Sequence, residues 1–188
     1  MGNLTDHFAG GGGGSNVLEY IAYQPDGRTI TTTQGDITVP SITSYQIIDT
    51  TTYTDFTCSV ISYTPPEGTK YVQYRYIASI AYRDTYMLPH YYIELDGTKV
   101  DGTKRTNYEY SQNRDTQIQT GCTIQITGSG SDDIDGGKVD TWTSAKTFKV
   151  KGRSYSTSYG YNLNRVYHWN GGGSYQNVKP EIQIVAFK

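Results

Sequence analysis

From Val17 onward, short apolar or alternating runs recur about every ten positions, each closed by turn residues, which is the pattern of half-buried strands. Leu18–Tyr23 is an apolar run ending at Pro25-Asp26-Gly27, and Thr29–Pro40 is rich in Thr and Ile with a break at Gln34-Gly35-Asp36. Ser44 to Tyr63 is a long β-branched stretch that predicts two strands, and Pro65-Pro66-Glu67-Gly68 then forces a turn because prolines cannot donate to a ladder. Tyr71–Tyr82 alternates, placing Val72, Tyr74, Tyr76, Ala78, Ile80 and Tyr82 on one face. Tyr91–Leu95 leads into Asp96-Gly97, a hairpin signal directed at Val100. Asn107–Tyr110, Thr116–Thr127, Ala145–Tyr159, Asn162–Trp169 and Glu181–Phe187 supply the remaining strands. A single helical turn is expected only near Thr141–Ala145.

About eight to ten strands at this spacing predict an all-β antiparallel sandwich or jelly roll. The closing Ile182-Gln183-Ile184-Val185-Ala186-Phe187 carries apolar side chains on both faces, so it is central in its sheet or covered by a second subunit. With 188 residues the chain fits one domain, and at this size roughly 70% of the unfolded surface can be buried without metal or disulfide help. The two cysteines, Cys58 and Cys122, are too few for a disulfide framework. Both are expected reduced, and Cys122 lies in phase with Ile118, Ile124 and Ile126 as a small buried hydrophobe.

Composition changes the picture of the core. Hydrophobic residues are only 35%, and 19 tyrosines stand against 4 Phe and 2 Met. Tyrosine and threonine suit a pleated, half-buried surface and suit helices poorly. Tyr71, Tyr74, Tyr76, Tyr82, Tyr86, Tyr91 and Tyr92 crowd one third of the chain, more than one core of this size wants. Tyr74, Tyr76, Tyr82, Tyr91 and Tyr92 are therefore candidates for a subunit interface or for stacking on sugar rings, with service as polar core filler the plain alternative for each.

Residues 1–16 read as an arm and 17–188 as the domain. Leu4 and Phe8 are the arm's sizeable apolar side chains, and with His7 they are its candidate anchor. Gly10 to Gly14 and Ser15 form a flexible tether, which is also what an engineered linker looks like. The arm spans at most about 55 Å when extended.

Charge excludes several classes. The net charge is −2, and 16 basic residues are scattered among 18 acidic ones, so no basic face marks a nucleic-acid binder. Lys149, Lys151 and Arg153 alternate along one strand and read as a solvated sheet face. No run of about 18 apolar residues would span a membrane, and Met1–Ser15 lacks a secretory pattern.

Candidate chemistry is sparse, and neither a metal nor a cofactor is expected. His7, His90 and His168 sit in no metal-binding spacing, and His168 reads as a structural histidine. Ser131-Asp132-Asp133-Ile134-Asp135-Gly136 opens like a calcium loop, but its twelfth position is Trp142 rather than an acid. Ser154 to Ser158 offers hydroxyls without a convergent base, and the neighbouring Asp132 and Asp133 are not an environment-split acid pair.

Several short motifs in order, Ser15-Asn16-Val17-Leu18-Glu19-Tyr20, Ser62–Lys70 (SYTPPEGTK), Trp142–Asn164 (WTSAKTFKVKGRSYSTSYGYNLN) and His168–Gly172 (HWNGG), resemble those of small marine, cyanophage-like phage virion proteins. The resemblance covers roughly residues 15–188. It implies a homotrimeric, tumour-necrosis-factor-like jelly roll on a phage particle, made in the host cytoplasm, with no catalytic residues to carry over. The family's acidic residue near Asn170 is absent here. Two functions follow as expectations: a non-enzymatic virion surface protein of capsid-decoration or head-fibre type, held by its arm to a capsid or connector protein, or a receptor-binding fibre tip recognising host surface glycans. A polysaccharide hydrolase or lyase would need acids in a cleft.

Overall fold

A computed structural model describes residues 16–83, 86–107, 115–169 and 171–188; the arm residues Leu4, His7 and Phe8 lie outside them. The chain is an antiparallel β-sandwich of two main sheets, as the alternation predicts. The seven-stranded sheet runs β1 (Val17–Tyr23), β17 (Glu181–Phe187), β7 (Tyr71–Tyr82), β11 (Asp115–Ile126) and β12 (Lys138–Val139). Beyond β17, the far end of β7 pairs β14 (Tyr161–Leu163), which pairs β4 (Gln46–Ile48). The six-stranded sheet centres on β8 (Pro89–Leu95) and β13 (Lys146–Ser154), flanked by β9 (Thr98–Lys99) and β10 (Arg105–Thr106) on one side and β5 (Thr54–Asp55) and β6 (Ile61–Tyr63) on the other. Two hairpins, β2–β3 (Thr29–Thr32, Gly35–Thr38) and β15–β16 (Arg165–Trp169, Gly173–Asn177), stand outside these sheets.

Local chemistry accounts for most of these elements. At the β8–β9 turn Asp96 and Gly97 both adopt positive φ, 47° and 85°, the conformation that Asp-Gly makes cheap. The inward residues of β7, Val72, Tyr74, Tyr76, Ala78 and Ile80, are all buried, as are Ile182, Ile184 and Ala186 of β17. β17 lies between β1 and β7, so its doubly apolar pattern is met within the chain: Val185 and Phe187 on its other face are half-buried. The sheets meet where Tyr74 stacks on Phe148, ring centroids 4.7 Å apart and 11° from parallel. Gly152 is required there too, since a Cβ would sit 2.2 Å from the Phe56 ring.

The structure corrects several expectations. Ser44 to Tyr63 forms three short strands rather than two, and Thr141–Ala145 contains no helical turn; among the described residues the short 3-10 turns are at Asp101–Thr103 and Thr157–Tyr159. Asn162–Trp169 is broken at Asn164, whose positive φ of 65° turns β14 into β15. His168 is exposed on β15 rather than packed as a structural histidine. Residues 108–110 of the expected Asn107–Tyr110 strand lie outside the described residues.

The largest correction concerns tyrosine. Tyr74 and Tyr76 are 0% exposed and Tyr91 is 2% exposed within the single chain, so none of the three is free to meet a second subunit or a sugar. They are core filler with their hydroxyls satisfied inside: Tyr74 donates to the Ser59 carbonyl, Tyr76 meets the Cys58 sulfur and Tyr91 donates to Asn107. Tyr63 donates likewise to the buried Glu19 carboxylate. A carbonyl or side-chain acceptor meets these four tips, whereas the Tyr23 and Tyr161 hydroxyls are buried without a partner among the described residues.

Candidate binding face on the seven-stranded sheet

The outer face of the larger sheet is built by the residues that alternate with its core positions. Register places them in rows across the strands. Tyr20, Val185, Gln73 and Thr123 form one row; Ala22, Gln183, Arg75 and Gly121 form the next; Glu181, Ile77 and Gln119 follow. Tyr71 and Phe187 stack at one end, ring centroids 5.6 Å apart. Because outward residues recur every second position, Tyr71, Gln73 and Arg75 succeed each other along β7 about 7 Å apart.

A cleft of about 650 Å³ opens on this face. Gln73, Arg75, Gln119, Gly121, Thr123 and Gln183 line it from the sheet, and Arg105 comes from β10 of the other sheet. Tyr74 contributes to the floor while its ring is turned into the core. Gly121 has a structural reason to be glycine, since a Cβ would lie 2.9 Å from the Tyr74 carbonyl oxygen. Its bare backbone, next to Arg75 in the row, leaves the middle of the face low.

The lining is polar and largely unspent. Gln73, Gln119 and Thr123 make no side-chain hydrogen bond to the described residues, whereas the Gln183 amide donates to Glu181. The Nε of Arg75 is buried without a partner. Arg105 donates to the carbonyls of Gly102 and Lys104. No carboxylate is among the lining residues. Cys122 also lines the cleft, but burial pushes its thiol up from 9.0 to about 12, leaving it protonated and unreactive at neutral pH.

The expected site residues are not brought together. Tyr82 lies at the far end of β7, its ring 6.0 Å from Tyr175. Tyr92 is on the outer face of the other sheet, edge-on to Tyr53 at 4.7 Å. That sheet also carries Lys149, Lys151 and Arg153 on one face, as expected, and they are matched locally. Lys149 and Lys151 each reach both Asp55 and Glu94 within 3.1–3.6 Å, and Arg153 lies over the Tyr53 ring at 5.3 Å. In the acidic loop Asp133 accepts from Gly136 N–H, and Asp132 accepts from Asp140 N–H and lies 3.8 Å from the Lys146 ammonium. Cys58 and Cys122 are unpaired with each other. A second hollow of about 380 Å³ lies between Pro65–Thr69 and Asp140–Thr143, but Trp142 there is 5% exposed and donates its Nε1–H to Tyr63, leaving little ring surface to stack on.

The residues of the cleft were not singled out from sequence. Gln73 and Arg75 were visible only as the positions alternating with buried tyrosines, and Gln119, Thr123 and Gln183 as ordinary outward residues. Nothing in a period-two pattern separates a solvated face from a binding face.

Fold and face together define an antiparallel β-sandwich with an amide- and arginine-lined cleft on one outer sheet. No protein-family model matches the chain, and neither does any curated protein. Among solved structures, the chain is similar over 78% of its length to a structure described as the C-terminal domain of EclA, a sugar-binding protein, at 8% identity, 89% coverage of that chain and a TM-score of 0.36. It is similar over 77% of its length to one titled "CBM4 structure and function", at 12% identity, 87% coverage and a TM-score of 0.27. Likenesses this loose carry no weight for the ligand, which has to be argued from the residues.

Proposed function

We propose that the chain is a non-enzymatic attachment protein of a phage particle whose larger sheet binds saccharide on its outer face. The observation that carries this is the cleft lined by Gln73, Gln119 and Thr123 with unspent hydrogen-bonding groups, beside the Tyr71–Phe187 pair. Side-chain amides offer a donor and an acceptor together, which matches the hydroxyls of a sugar, and an aromatic ring offers an apolar face to its C–H groups. Support for a non-catalytic role is the lining itself, which has no carboxylate pair and whose one thiol is held protonated. The test is binding of the full chain to a panel of bacterial surface polysaccharides, with product analysis for new reducing ends. Retention on at least one saccharide without cleavage is expected; no retention on any member overturns the saccharide reading, and released ends overturn the non-enzymatic one.

The place on the particle belongs to the same proposal, and its support is the ordered motifs from Ser15 to Gly172. The chain assembles as a homotrimer, and Leu4, His7 and Phe8 anchor it to a capsid or connector protein through the glycine tether. Deleting residues 1–9 should leave the domain folded and abolish its incorporation into particles, read by densitometry of purified virions. Undiminished incorporation would transfer attachment to the sandwich surface.

A further inference from the structure

We infer that the cleft is an anion-recognising subsite, so that the ligand is an acidic saccharide bearing carboxylate or sulfate groups, with Arg75 as its counter-charge. This rests on the saccharide-binding reading of the same face and names the ligand class.

The case begins with how the described arginines are used. Arg28 pairs with Asp26 and Arg83 with Asp49. Arg153 lies over Tyr53, Arg165 lies between the rings of Tyr45 and Tyr175 at 4.2 and 4.1 Å, and Arg105 donates to two carbonyls. Arg75 alone has no carboxylate within 4.0 Å, no acceptor and no ring among the described residues. It is half-buried in the middle strand, between Gln183 and Gly121, with its Nε shut away from water. A buried guanidinium N–H without an acceptor is costly, and an arginine fork fits a carboxylate or sulfate in two parallel hydrogen bonds.

The surroundings agree in sign. The lining contains two arginines and no acid. Glu181 is the nearest acid in the row pattern; it lies outside the lining, and the Gln183 amide donates to it. The unspent amides of Gln73 and Gln119 flank Arg75 and would take the neutral hydroxyls of the same ligand. Because the cleft is open, attraction to an anion there is weakened by salt.

Calorimetry of the full chain with a uronate trisaccharide, a sulfated trisaccharide, a neutral trisaccharide and sodium sulfate tests this. At least one acidic sugar should bind more than about tenfold tighter than the neutral one, the preference shrinking between low and high salt. Arg75→Gln should erase the preference, Arg75→Lys should retain part of it, and the neutral sugar should be indifferent to both. If Arg75→Gln does not fold, the salt dependence and sugar preference of the native chain decide alone. Equal binding of acidic and neutral sugars, or an acidic preference that survives Arg75→Gln, overturns the anion subsite and leaves the saccharide reading standing. Sulfate ion binding as tightly as the sulfated sugar, with the neutral sugar unbound, overturns both, as does absence of binding to all four.

Discussion

The two outer faces of this sandwich both carry arginine and tyrosine and differ in what those residues have already found. On the smaller sheet, Lys149 and Lys151 share Asp55 and Glu94, Arg153 covers Tyr53, and Tyr53 meets Tyr92. Glu94 is 7% exposed at its side chain, yet its charge is met twice. On the larger sheet Arg75 meets no carboxylate, acceptor or ring among the described residues, and Gln73 and Gln119 make no side-chain hydrogen bond to them. A buried charge is tolerable when its partners come from the same fold, and a group left without them is a place where a ligand gains free energy by supplying what is missing. Partner satisfaction separates the face that is matched within the fold from the face proposed to bind.

The largest effect that would sharpen this contrast lies in neither face but in the layer beneath both. Tyr76→Ala empties a fully buried aromatic position that touches Phe56 and Cys58, and should cost about 3–5 kcal/mol. Tyr92→Ala, on the outer face, should cost only about 1 kcal/mol, chiefly its edge contact with Tyr53. Urea denaturation of the two variants gives both numbers. Comparable losses would mean that Tyr76 does not hold the core as described.

That difference marks where the sequence stopped being informative. The alternation in Tyr71–Tyr82 located β7, its inward face and the turn at Asp96-Gly97, because strand period and turn chemistry are local properties. It could not say whether Tyr74 and Tyr76 face a core or a partner, since both surfaces are apolar and both reward a polar tip. What settles it is long-range: Ser59, Cys58 and Phe148 arrive from other strands to receive those rings. The same limit hid Arg75. Its lack of a partner is a fact about Ala22, Gly121 and Gln183, residues on three other strands.

Cys122 probes the layer beneath the cleft, because its side chain shares the inward face of β11 with Ile118 and Ile124. Its thiol is pushed up to about 12 by burial, so the folded chain holds that proton more tightly than the unfolded chain with its value of 9.0. The associated stability is therefore fully present below about pH 9 and is lost as pH rises from 9 towards 12. At pH 8.5, alkylation of Cys122 by iodoacetamide should be slower in the native chain than in urea by roughly a hundredfold or more. Peptide mass mapping reads this directly, and fast native labelling would mean that the layer beneath the sheet opens in the native chain.

Charge deletion compares the faces head to head. Glu94→Gln leaves Lys149 and Lys151 with only the half-exposed Asp55 carboxylate, and should lower stability by about 1–2 kcal/mol at low salt. Arg75→Gln removes a cation that has no partner among the described residues, so stability should stay within about 0.5 kcal/mol of the parent or rise. Thermal melts in low and high salt check the pair. Equal destabilisation by both changes would mean that Arg75 is already satisfied within the fold.

The smallest expected effect is the most selective. Gln73 makes no side-chain hydrogen bond to the described residues and is exposed on β7, so Gln73→Ala should leave the melting temperature where it is. If its amide meets a sugar hydroxyl, it contributes a neutral hydrogen bond, worth about 0.5–1.5 kcal/mol net, and its loss weakens saccharide binding by roughly two- to tenfold. Tyr92→Ala supplies the control, because it alters the opposite sheet and should leave affinity unchanged. Titration calorimetry with whichever surface saccharide the chain retains measures both. The reverse result, with Tyr92→Ala weakening binding and Gln73→Ala silent, would move the site to the smaller sheet, where the ion network of Lys149, Lys151, Asp55 and Glu94 would have to open to admit a ligand.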